Sequence, residues 1–164
     1  MVNVVVDLRR GREMNKNEKV AYNWLRGIGY SDYDIDYKNN RSPDFILSDG
    51  TGYEHKILNS HTITLSDRQW ITLLNCKNCY LVPFYPNGKE PVYVIPMSEL
   101  PYGTKYYKDI YIYLTKTSNN TLPHDVFTEM FNESVIKSRM NGENLWKVFN
   151  ELKTIYKRDK DKYK

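Results

Sequence analysis

The sequence is poor in several things, and each shortage narrows the chemistry open to it. Cysteine occurs twice, as Cys76 and Cys79 in NCKNCY. A structural zinc site needs four ligands, and no second pair exists to complete one. A thioredoxin-like pair would open a helix, whereas this one closes a helical pattern. Two small residues at a helix-to-strand turn are the expectation. No apolar run reaches the ~20 residues of a membrane span, so neither a transmembrane helix nor a membrane partner is expected. The opening MVNVVVDLRRGR puts apolar residues before basic ones, the reverse of a secretory signal, and an intracellular location is expected. Alanine is almost absent while tyrosine occurs 15 times. Lys, Asn, Ile and Tyr share AT-rich codons, a bias that compact viruses and mobile elements show.

What remains is an ordinary globular balance. The chain has 164 residues, 40% hydrophobic and 27% charged, enough for one domain with a real core. A net charge of +4 permits nucleic-acid binding without demanding it. Much of the excess sits in LKTIYKRDKDKYK, which reads as a solvated helix end suited to the negative end of the helix dipole.

Periodicity gives an order of elements. Val2 to Val6 reads as a short strand or ordered arm. Asn15 or Asn17 caps a helix running to about Arg26, with Ala21, Leu25 and Ile28 on its apolar stripe and Glu18 on that same side. Tyr33 to Tyr37 alternates as a strand. Phe45 to Ser48 and Tyr53 to Leu58 form a hairpin around DGTG. Ser60 to Thr64 reads as a connector and Leu65 to Asn75 as a helix capped by Ser66. Tyr80 to Tyr85 and Pro91 to Ile95 form a second hairpin, and Ile110 to Leu114 a further strand. His124 to Asn132 and Glu143 to Tyr156 read as helices. The fold class expected is α/β with a C-terminal helical addition: residues 1–97 as the core and 98–164 as an extension packed on it.

The informative stretch is SPDFILSDGTGYEHKIL, Ser42 to Leu58. Side chains alternate along a strand, so Glu54 and Lys56 share a face while His55 points away from it. Asp44 opens the partner strand. Two buried carboxylates would repel each other, and a hard divalent cation such as Mg²⁺ removes that cost. Such an ion can activate water and neutralise phosphoryl charge. Lys56 can then stabilise developing negative charge or assist the nucleophile. Asp44 shares the site only if the hairpin connection has an odd number of residues or a bulge. The register expected sets Asp44 opposite Lys56 or Leu58, with Gly50 and Gly52 supplying the positive φ such a loop needs.

Pro43-Asp44 followed by Glu54-His55-Lys56 resembles the PD-(D/E)XK nuclease superfamily. The resemblance extends over about Asn15 to Ile95, because the family core runs helix, three-strand meander, helix, strand. It implies a restriction-endonuclease-like fold and Mg²⁺-dependent hydrolysis of DNA phosphodiester bonds, with Mn²⁺ substituting. Asp44, Glu54 and Glu18 would be its metal residues, the last often acting through water, with Lys56 completing the catalytic set. Gln69 matches a polar residue that some members carry on the second helix. Arg41 and Arg68 lie near the motif as candidate phosphate contacts. Among subfamilies, Holliday-junction-resolvase-like and small restriction-like nucleases look most similar, and a homodimer is expected. The alternative is a catalytically inactive nucleic-acid-binding or assembly protein on such a scaffold.

Overall fold

The computed structural model describes residues 14–38, 41–115, 124–141 and 144–159. The arm expected at Val2 to Val6 lies outside these residues. Helix α1 spans Lys16–Gly27. Its start is fixed by a capping box: the Asn15 side chain accepts from the Glu18 N–H at 2.8 Å, and Glu18 Oε1 accepts from the Asn15 N–H at 2.9 Å. Glu18, Ala21 and Leu25 are its buried side, spaced as one helix face requires.

A mixed sheet follows in the order β1-β2-β3-β5-β6. Strand β1 is Ile35–Tyr37, β2 is Phe45–Leu47, β3 is Gly52–Ile57, β5 is Cys79–Phe84 and β6 is Ile95–Pro96. The strand expected from Tyr33 begins two residues late, because Asp32–Asp34 is a turn of 3-10 helix. The Asp34 carboxylate takes both the backbone N–H and the hydroxyl of Ser31, at 3.0 and 2.8 Å, and so holds a turn against the strand pattern. Strands β1, β2 and β3 form an antiparallel meander, and β5 then lies parallel to β3, with Glu54 opposite Leu81. The hairpin expected over Pro91 to Ile95 is reduced to β6 and an isolated bridge from Phe84 to Pro91, whose imino nitrogen cannot donate to a ladder.

A second, three-stranded sheet has the order β4-β8-β7, with β4 at Thr62–Ser66, β7 at Lys105–Tyr107 and β8 at Ile110–Thr115. The expected connector at Ser60 to Thr64 is thus mostly strand. Ile63 and Leu65 face inward, and the partner that makes β4 a strand is the distant, parallel β8. Helix α2 correspondingly starts at Asp67 and not Leu65, spanning Asp67–Asn75 behind the Ser66 cap. Helix α3 is His124–Asn141 and α4 is Leu145–Asp159. The former outruns the expected end at Asn132 because Val135 continues the buried stripe of Phe127 and Phe131.

Two apolar clusters lie on either side of the five-stranded sheet. One joins Leu25 and Ala21 of α1 to Ile35, Phe45 and Tyr53 of the meander. The other joins Trp70 and Leu73 of α2 to Ile112, Phe131 and Phe149. Strand β5 feeds both, sending Val82 to the first and Leu81 to the second. Cys76 and Cys79 stand at the helix-to-strand turn as expected. They are also joined as a disulfide across a Cα separation of 5.8 Å, which the sequence reading did not foresee.

Gly52 lies where this turn meets the hairpin. A Cβ there would fall 2.7 Å from Cys79 Sγ and 2.7 Å from Pro43 Cγ, and neither a bonded sulfur nor a proline ring can swing aside. Gly52→Ala is expected to lower the melting temperature by roughly 2–12 °C, the range that overpacking gives in a chain of this size. A melting curve superimposable on that of the wild type would show that the turn and hairpin can separate freely.

Candidate functional site

The hairpin register places the motif. Leu47 N–H donates to Thr51 O at 2.8 Å and Gly50 N–H to Leu47 O at 2.9 Å, which closes a loop of Ser48, Asp49 and Gly50. Gly50 holds φ +89° at the loop's last position, where other residues would be strained. The connection is therefore odd, as a shared site requires. The register differs from expectation in detail: Phe45 pairs with Tyr53, which sets Asp44 opposite Glu54 and not opposite Lys56 or Leu58. The loop closes one residue earlier than expected because Gly50, and not Gly52, takes the positive φ.

Asp44 and Glu54 border one open cleft of about 490 Å³, together with Glu18, Arg41, Arg68 and Gln69. Glu54 is only 3% exposed. Its Oε1 accepts from the Asp44 backbone N–H at 3.1 Å, and its Oε2 from Gln69 Nε2 at 3.3 Å. Ser42, also on the cleft, gives it a further hydrogen bond. These contacts do not offset the surroundings. Burial first, and then the Asp44 carboxylate, push the Glu54 carboxyl up from its ordinary 4.5 to about 8, against the pull of the Lys56 ammonium.

Lys56 is absent from the cleft lining. Its Nζ donates to Gln69 Oε1 at 3.2 Å, the oxygen that also accepts from the Ser66 N–H at 3.2 Å. Gln69 thus links Lys56 to Glu54 and closes the capping box of α2. Glu18 is buried on the cleft floor with Oε1 in its own capping box and Oε2 accepting from the Tyr37 hydroxyl. Arg41 pairs with Asp36 at 3.1 Å and donates to Pro43 O at 3.2 Å, which fixes its guanidinium beside the motif. Arg68 is exposed on the cleft's rim.

His55 departs from expectation. Its ring was assigned to the face away from Asp44, yet Nδ1 lies 3.0 Å from Asp44 Oδ2, and the same oxygen accepts the His55 backbone N–H at 3.0 Å. Asp44 stands just before β2, so its side chain, free of the pleat, replaces a main-chain acceptor on the ladder. Thr72, one helical turn past Arg68, is a cleft residue that sequence reasoning missed, although its i+4 spacing put it on the same face.

No family model matches the chain, and neither does any curated protein or solved structure. Function therefore rests on the cleft's own chemistry. The donors that Asp44 and Glu54 present are hard oxygens, and a buried carboxyl held up by a second carboxylate is what a divalent cation relieves. Among the described residues no group of three or more His, Cys, Asp or Glu is placed to hold an ion. Magnesium asks less of a protein, since one or two carboxylates with waters and phosphate oxygens suffice. The pair fits that ion.

The raised Glu54 carboxyl fixes the sign of a pH effect. Between about 4.5 and 8 the folded chain keeps a proton that the unfolded chain has released, so this group lowers stability as pH rises through the window. Glu54→Gln is expected to melt higher than the wild type at pH 8 without divalent ions, by at least about 2–4 °C. The gap should close toward pH 4.5. Thermal scans showing equal midpoints at pH 8 would contradict the burial and the carboxylate pairing described here.

Proposed function

We propose that the chain is a divalent-cation-dependent endonuclease hydrolysing phosphodiester bonds of DNA. The observation that carries this reading is the cleft in which a buried Glu54 meets Asp44 beneath two guanidiniums. The order of α1, the β1-β2-β3 meander, α2 and β5 supports it, being the order that the PD-(D/E)XK resemblance implies.

Asp44 and Glu54 would hold the ion. When bound, it supplies charge neutralisation at the phosphoryl group and a more acidic water. The chain's own residues do the rest. Arg68 takes a phosphate oxygen, and Arg41, already oriented by Asp36, takes another. Lys56 approaches the nucleophile by exchanging its bond to Gln69 Oε1 for one to the reacting group, while Gln69 Nε2 keeps Glu54 oriented. Glu18 acts as a positioning residue, since both of its oxygens are engaged. A homodimer would let two such sites address two strands.

The alternative, a catalytically inactive nucleic-acid-binding or assembly protein on this scaffold, draws support from one observation: Lys56 is turned to Gln69 and lies off the cleft lining.

Supercoiled plasmid, linear duplex, single strand and four-way junction, each incubated with Mg²⁺ and with Mn²⁺, separate the two. Cleavage by the wild type is expected. Asp44→Ala and Glu54→Ala should abolish it, and Lys56→Ala should slow turnover ~100-fold or more while calorimetry still detects the cation. A Glu54→Ala protein cutting at the wild-type rate would sink the endonuclease reading. Nucleic-acid binding by the wild type without cleavage would favour the alternative.

A further inference from the structure

The β4-β8-β7 sheet has one covered face and one open face. Ile63, Leu65, Ile112 and Leu114 fill the covered one. On the other, the register sets Thr62 beside Tyr111, Thr64 beside Tyr113, and Tyr106 beside Tyr111. Tyr106 is 70% exposed and Tyr113 48%. The rings form a row, with centroids 4.8 Å apart from Tyr106 to Tyr111 and 6.5 Å from Tyr111 to Tyr113. Between them the face carries hydroxyls, where a protein interface core would carry aliphatic anchors.

Both ends of this row carry polar groups. At one end Tyr106 and Tyr111 wall a cavity of about 330 Å³ whose other side is Ser60, His61 and Asp109. Ser60 and His61 hold φ of 50° and 62°, two successive left-handed residues other than glycine, a strain that persists only where the surroundings impose it. The Asp109 carboxylate accepts from the Tyr93 hydroxyl at 2.6 Å, and its ordinary acidity is strengthened by that bond. At the other end β4 runs into Ser66, whose N–H meets the Gln69 oxygen that holds Lys56, with exposed Arg68 two residues on. From Thr62 to Ser66 the strand covers about 13 Å at ~3.3 Å per residue.

We propose that this tyrosine face is a stacking platform for an unpaired nucleic-acid strand, which it delivers to the Asp44–Glu54 cleft. Successive bases lie on Tyr113, Tyr111 and Tyr106. The last seats its edge in the cavity, where Asp109 accepts from an exocyclic amino group such as that of cytosine. The mild positive charge of the chain, +4, suits a phosphate backbone. The inference rests on the endonuclease reading for its substrate class, and it narrows that class to substrates with a single-stranded segment. Binding to the platform needs no cation.

The test is fluorescence polarisation of the full chain with labelled twelve-residue oligo-dC, oligo-dT and a duplex of equal length, in EDTA at low and moderate salt. Single strands should bind more tightly than the duplex. Tyr111→Ala and the more exposed Tyr106→Ala should each weaken single-strand binding roughly 5- to 150-fold, the worth of one stacked base. Tyr111→Phe should bind within about twofold of wild type, since stacking does not need the hydroxyl. Asp109→Asn should lower the preference for oligo-dC over oligo-dT. Melting curves identify any variant that fails to fold, and Tyr106→Ala, changing a mostly exposed side chain, keeps the test open if Tyr111→Ala does. Wild-type affinity in folded Tyr106→Ala and Tyr111→Ala would overturn the proposal. So would self-association lost in these variants without oligonucleotide binding, which would mark a protein interface. Tyrosine-dependent binding without cleavage would overturn the endonuclease reading and leave the platform standing. Cleavage with tyrosine-independent binding would do the reverse.

Discussion

Everything near the cleft depends on a carboxylate kept where water would not leave it. Glu54 is buried in the central sheet beside Asp44, and the two repel through a medium that screens poorly. Such a group is retained only if the surrounding structure holds it against relaxation. Three hydrogen-bond donors do so: the Asp44 N–H, the Gln69 amide and Ser42. Each comes from a different segment, so turning Glu54 out to solvent would break contacts at the start of β2, on α2 and in the loop before the hairpin together.

Gln69 shows how one side chain can serve both stability and site. As the third residue of α2 it closes the capping box with Ser66, a role worth about 1 kcal/mol in helix stability. Its oxygen is shared between the Ser66 N–H and Lys56, and its nitrogen faces Glu54. The helix start is therefore coupled to the charge state of the cleft. Glu18 repeats the device on α1, capping with one oxygen and meeting Tyr37 with the other. Two helix N-termini are pinned to the same cavity by residues that look, in sequence, like ordinary caps.

That double use explains what was legible and what was not. Local signals read well: the Asn15 cap, the Ala21–Leu25 stripe, the Ser66 cap and the odd parity of the hairpin, which Gly50 makes possible. The motif residues Asp44 and Glu54 were brought to one cleft as their spacing suggested. Features set by distant partners did not read. Strand β4 exists because β8 lies beside it, some fifty residues on in the chain. His55 was assigned by strand alternation, but Asp44 sits outside β2 and escapes that rule. The Cys76–Cys79 bond follows from how the end of α2 turns into β5, and a C-x-x-C spacing alone does not specify that turn.

Strand β4 is also where the two sheets become one apparatus. Its inner face joins the larger apolar cluster through Ile63 and Leu65, and its last residue, Ser66, opens α2. A strand paired only at its own sheet could slide or tilt without consequence for the cleft. Here any shift of β4 along β8 would carry Ser66 with it, and with Ser66 the Gln69 oxygen that Lys56 requires. The parallel register of Thr62 to Ser66 on Tyr111 to Thr115 therefore sets the distance between the tyrosine face and the carboxylates. Because a register slip of one residue would turn Ile63 and Leu65 outward, the apolar core that makes this slip costly also keeps the two functional surfaces in alignment.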